Sequence, residues 1–98
     1  MSFEDFMIAV KNRVKPAGLN SYLEAMYEDA IGHWEASHNI AQDINDNYGS
    51  LIHAYLHRKE GDQWNANYWY ERAGRKMPST SLDDEWEAIT RELLDKNG

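Results

Sequence analysis

The chain contains no cysteine. Disulfides, cysteine-ligated zinc and thiol catalysis are therefore excluded. It has only two prolines and six glycines, too few for a disordered or linker-rich polypeptide. No stretch approaches the roughly 18–20 consecutive apolar residues that cross a bilayer. The opening MSFEDFMIAVKNR lacks a basic start followed by a long apolar run, so no secretory leader is read there. Positive charge is scarce, with ten Lys and Arg against 17 Asp and Glu, a net charge of −7. That balance argues against nucleic acid, whose binding draws on Lys and Arg at phosphates. Basic residues do cluster at His57-Arg58-Lys59 and at Arg72, Arg75 and Lys76. On an acidic protein such a cluster is expected to pair with its own carboxylates. A soluble cytoplasmic protein with neither membrane nor nucleic-acid partner is the expectation.

Ninety-eight residues make one domain, spanning 1–98, because two halves would each have too small a core. Four Trp, six Tyr and two Phe supply large buried units for it. No strand pattern is found. The apolar residues recur at helical spacing, and β-branched residues are sparse.

Helix punctuation is clear. Ser2 with Asp5 reads as a capping box ahead of Phe3, Phe6, Met7 and Val10. Lys15-Pro16-Ala17-Gly18 ends that helix. Ser21 with Glu24 opens a second helix, and Gly32 breaks it. A third runs from about His33 to Asp43. Residues Asn45 to Ser50 form a loop by composition, and a fourth helix runs from about Ser50 to Glu60. Asp62 caps a fifth, about Gln63 to Arg75, which Gly74 and Pro78 end. Ser81 with Asp84 opens the last, with Leu82, Trp86, Ile89, Leu93 and Leu94 as its apolar stripe.

Gly32-His33-Trp34 and Gly61-Asp62-Gln63-Trp64 echo each other, each closing one helix and opening the next. Two helical hairpins follow. In the second, Ala66, Tyr70, Ala73 and Pro78 have the spacing A-x3-Y-x2-A-x4-P after a Gly-Asp turn. This resembles the second helix of a tetratricopeptide repeat, in which small residues let helices approach and the aromatic fills the gap. The resemblance implies an all-α fold of about six helices: two tetratricopeptide-like hairpins, with the first and last helices sealing the ends. The string from His53 to Gly74, HAYLHRKEGDQWNANYWYERAG, with Trp34, Ser37 and His38 upstream, is similar to a family of short uncharacterised proteins from bacteria and fungi. That resemblance implies a fold and no chemistry.

One constellation carries possible chemistry. His53, His57 and Glu60 are spaced i, i+4, i+7, so on a helix they lie within roughly 60° of one another. A His pair at i, i+4 can chelate a divalent metal, with the carboxylate as third ligand. His38 and Gln42 would join them if the third and fourth helices pack antiparallel. The competing reading is a hydrogen-bonded structural network, since no acid adjoins the histidines in sequence. Trp64, Tyr68, Trp69 and Tyr70 put aromatics almost all round the fifth helix. The plain reading is a helix buried on several sides. The functional one is a partner-binding face, with Arg72 and Arg75 beside it to meet carboxylates. Serine-nucleophile motifs, phosphate-binding glycine loops, EF-hand loops and paired catalytic carboxylates are absent, so no catalytic residue is assigned.

The leading expectation is a non-enzymatic helical module for a protein or peptide, its groove lined by Trp69, Tyr70, Arg72 and neighbouring histidines. The alternative is a metal-dependent or histidine-assisted small-molecule enzyme or binding protein, using His38, His53, His57 and Glu60. No cofactor is implied beyond that divalent metal. A homodimer through the aromatic face is expected as well, because two hairpins bury little on their own.

Overall fold

Side-chain oxygens start five of the six helices. α1 (Phe3–Asn12) has the capping box of Ser2 and Asp5. α2 (Ser21–Ala30) is capped by Asn20, whose side chain accepts from the Leu23 N–H. α4 (Asn47–Lys59) is capped by Asp46, and α5 (Gln63–Arg72) by Asp62. At α6 (Leu82–Asn97) the Ser81 hydroxyl accepts from the Asp84 N–H. Only α3 (Trp34–Gln42) lacks a side-chain cap. The computed structural model describes residues 1–97, and these are all-α, with no strand. Gly98, the last residue of the domain read from the sequence, lies outside the described residues.

Several boundaries differ from the sequence reading. Asn20, not Ser21, caps α2, because its carbonyl oxygen reaches the third N–H of the helix. α1 stops at Asn12, where Arg13 adopts a left-handed conformation (φ 55°). α4 begins at Asn47 and absorbs all of the expected loop but Asn45 and Asp46. Asp46 Oδ1 accepts from the Gly49 N–H at 2.8 Å, which fixes the first turn. Gly49 permits it, since a Cβ there would stand 2.1 Å from the Ile44 carbonyl oxygen. Gly49→Ala in an open helix would stabilise by about 0.5–1 kcal/mol. Here it is expected to destabilise by about 1–2 kcal/mol through that backbone clash, read as a lowered urea midpoint at unchanged slope.

α2 and α3 form one hairpin, α4 and α5 a second, and α3 packs on α4 to join them. Gly32 (φ 90°) and Gly61 (φ 87°) make the two turns, in backbone conformations that favour glycine. α4 is the central helix. Every residue from Leu51 to Leu56 is buried, the mark of a helix covered all round. α5 is not such a helix. It packs chiefly on α4, and its Trp64 is 77% exposed. The plain expectation for its four aromatics is thus corrected: the all-round apolar helix is α4.

The terminal helices do not seal opposite ends. α6 lies against both α2 and α4, and α1 lies on α6. The Trp86 indole N–H donates to the Met26 carbonyl at 3.2 Å, and the rings of Phe3 and Phe6 meet Trp86 edge-on. Phe6, Met26, Ile52, Leu56 and Leu93 are fully buried where these helices converge. The opposite side of α4 is left to α3 and α5, and the histidines lie there.

Candidate functional site

The site is built where α3 and α4 cross. His53 sits within the buried run of α4 and is 6% exposed. One turn on, His57 stacks over it, with ring centres 4.8 Å apart. From α3, His38 brings its Nε2 to 3.0 Å from Nε2 of His53. One ring nitrogen from each of the three histidines falls within 4.8 Å of the others. Two tryptophans wall the cluster. Trp34 stacks on His38 (5.0 Å, 10°), and its indole N–H donates to the Leu56 carbonyl at 2.9 Å. Trp69 of α5 stacks on His53 (4.0 Å, 20°).

Glu60 stands one turn beyond His57, and its Oε1 lies 2.7 Å from His57 Nδ1. This leaves Nε2 as the free nitrogen of that ring. Asp62 lies near enough to make a second acidic cluster with His57 and Glu60. Its carboxylate is already taken by the N–H and the side-chain amide of Asn65, at 3.2 and 2.6 Å.

The electrostatics favour neutral imidazoles. Burial, then the neighbouring His38 and His57, push the His53 pKa down to about 4. Burial, then His57, also lower that of His38, with Glu60 and Glu35 acting in the opposite sense. At neutral pH both rings are therefore uncharged. Their short contact is then an N–H···N bond in which one ring donates and the other accepts.

A polar cavity of about 300 Å³ opens beside the cluster, with Gln42, Asp46, Ser50, His53, Trp69 and Arg72 in its wall. The Asp46 carboxylate is committed to the Gly49 N–H and to a short hydrogen bond from the Tyr22 hydroxyl. The Arg72 guanidinium lies 5.1 Å from the Trp69 ring centre and donates to the Tyr68 hydroxyl at 3.2 Å. It has no carboxylate partner among the described residues.

Of the residues singled out in the sequence, His38, His53 and His57 are brought together. Glu60 joins them as the partner of His57. Gln42 lies in the cavity wall, its amide directed to Asn39 at 3.4 Å. Trp69 and Arg72 flank His53. Tyr70 is the correction. It points away from this face, is 1% exposed, and donates its hydroxyl to Glu85 at 2.5 Å. Packing against α4 and α6 claims it, so it does not line the groove beside the histidines. Trp34, Ser50 and Asp46 belong to the site and were not assigned to it from sequence. Trp34 was within reach, being four residues before His38 and so on the same helical face. Compared with family models, curated proteins and solved structures, the chain gives no match.

Proposed function

We propose that this chain is a small helical metal-binding protein that holds one divalent transition ion on His38, His53 and His57. The observation that carries the reading is the convergence of three ring nitrogens within 4.8 Å, one pair at 3.0 Å. Zinc–imidazole bonds of about 2.0–2.1 Å in a tetrahedral site put ligand nitrogens about 3.3–3.4 Å apart. Small rotations of these side chains meet that spacing. Neutral imidazole is the ligating form, and burial keeps His53 and His38 in it. Glu60 on His57 Nδ1 is the kind of carboxylate partner that fixes the orientation of a ligating histidine. The set thus differs from the triple His53, His57 and Glu60 of one helix, with His38 of α3 in place of the carboxylate.

Three protein ligands leave a fourth position for water or a small molecule, the arrangement of catalytic rather than structural zinc. Such an ion supplies Lewis acidity and an acidified bound water. His53 belongs both to the cluster and to the cavity wall, so a molecule in the cavity would lie beside the ion.

The deciding experiment is elemental analysis of tag-free protein, joined to thermal unfolding with zinc, nickel and manganese. One ion per chain is expected, with melting raised by several degrees in zinc or nickel. His53→Gln and His57→Gln should each remove both effects. A chain free of metal, with no shift for any ion, would reduce the histidines to a packing network.

A second reading, a non-enzymatic module for a protein or peptide, is favoured by the outward face of α5. Trp64 is 77% and Tyr68 45% exposed there, and the tetratricopeptide likeness of α4 and α5 points the same way. The same face is the candidate homodimer surface. Monomeric sedimentation at high micromolar concentration would exclude a second copy as its cover.

A further inference from the structure

We infer that the cavity beside His53 is a binding site for a small monocarboxylic acid, whose carboxylate is met by Arg72 and whose other end lies against His53. Only that far end rests on the metal reading; the anion end stands on Arg72 alone. The argument starts from charge. Acidic residues outnumber basic ones by 17 to ten, and half of the ten cations are taken up in ion pairs. Lys15 pairs with Glu24 and Glu28, Arg58 with Glu85 and Lys59 with Asp29. Arg75 pairs with Glu92 and Arg91 with Glu87. Arg72 has no carboxylate partner among the described residues, yet its guanidinium is held beside the cavity by the Trp69 and Tyr68 rings and by the Tyr68 hydroxyl. A planar donor fork so fixed is arranged for an external planar acceptor.

Size and lining narrow the ligand class. About 300 Å³ is at the lower end of small-molecule sites. Gln42 and Ser50 offer an amide and a hydroxyl in the wall, which suit a polar ligand. Asp46 shares that wall and is ionised, its carboxyl held low by the Tyr22 hydroxyl and the Gly49 N–H against the opposing effect of burial. A dianionic phosphate would face that charge with a single guanidinium to balance it. A monoanionic carboxylate is matched one to one by Arg72.

The probes are lactate and inorganic phosphate, titrated into zinc-loaded and metal-free protein, with amide and indole resonances followed by NMR. Lactate is expected to shift the Trp69 indole and the Gln42 and Ser50 amides, and to do so more tightly than phosphate. Arg72→Met should weaken lactate roughly ten- to hundredfold, and Arg72→Lys less, while zinc content stays at the wild-type level. Arg72 lies at the surface, so both variants are expected to fold. Arg72-dependent lactate binding to metal-free protein supports the anion site even where zinc fails to bind, a result that would sink the metal reading alone. Zinc-loaded protein whose cavity resonances ignore lactate overturns the inference and leaves the metal site standing. So does binding indifferent to Arg72→Met. Phosphate binding tighter than lactate overturns the ligand class.

Discussion

Arg58→Met is expected to lower the unfolding free energy by about 3 kcal/mol, the loss typical of a buried ion pair deprived of one partner. The reason lies at Glu85, which is 5% exposed. Its carboxylate accepts from Arg58 Nη1 at 2.8 Å and from the Tyr70 hydroxyl at 2.5 Å. Arg58 also makes a short hydrogen bond to the Thr80 carbonyl, in the connection between α5 and α6. One carboxylate thus ties α4, α5 and α6 together. Without the guanidinium, a nearly dry negative charge would keep only the tyrosine. Tyr70→Phe, which leaves the ion pair in place, should cost less, about 1–2 kcal/mol. The double change Arg58→Met with Glu85→Leu should recover most of the loss, since two apolar groups leave no stranded charge. Urea unfolding of the four proteins gives the comparison. A single Arg58→Met change costing under about 0.5 kcal/mol, the value of an exposed pair, would show that Glu85 is solvated.

The same turn of α4 explains what the basic cluster is for. Arg58 goes to Glu85 of α6, and Lys59 reaches Asp29 of α2 at 2.9 Å. Asp29 is 2% exposed and also accepts from the Tyr55 hydroxyl at 3.2 Å. His57, one residue earlier, turns to the histidine cluster. Three consecutive residues therefore serve three neighbours, as a helix advancing about 100° per residue allows. Pairing with the chain's own acids was foreseeable from the net charge. Which acids was not, because Asp29 and Glu85 lie far off in sequence, and their approach depends on how α2 and α6 lie on α4.

The same division runs through the rest of the fold. Caps at Ser2, Asp62 and Ser81 were legible, since a cap is a matter of three or four neighbouring residues. The first turn of α4 was not. Asp46, Asn47 and Gly49 have loop composition, and only the close approach of the Ile44 carbonyl reveals why glycine stands in a helix there. His53 and His57 were legible as a pair from i, i+4 spacing. His38 entered conditionally, on antiparallel packing of α3 and α4. Tyr70 and Trp69 are adjacent and face opposite ways, one to Glu85 and one to His53. The repeat-like spacing of Ala66, Tyr70 and Ala73 had already marked Tyr70 for packing, and all three are buried.

The histidine cluster also makes the metal-free fold sensitive to acid. With a chelator present, the wild-type chain is expected to lose about 2–3 kcal/mol between pH 7 and pH 4 through His53 alone. Its pKa is about 4 in the folded chain and about 6.5 when unfolded. Between those values the unfolded chain takes up a proton that the folded chain refuses. Stability from this residue is therefore complete above about pH 6.5 and declines as pH falls toward 4. Burial is the first cause, and the rings of His38 from α3 and His57 from α4 add to it. Carboxylates act in a lower window. Lys15 and His33 hold Glu28 low, and Arg75 holds Glu92 low, so their contribution persists until the medium is more acidic still. His53→Gln removes the titrating group while keeping a polar side chain of similar reach. Subtracting its urea unfolding profile from that of the wild type should isolate a loss centred between pH 4 and 6.5. Parallel profiles across that interval would mean that His53 takes a proton in the folded chain, and hence that water reaches the cluster. The burial that makes this proton costly is also what keeps a ring nitrogen of His53 unprotonated in weak acid, so under the proposed metal reading proton and metal ion would contend for one atom.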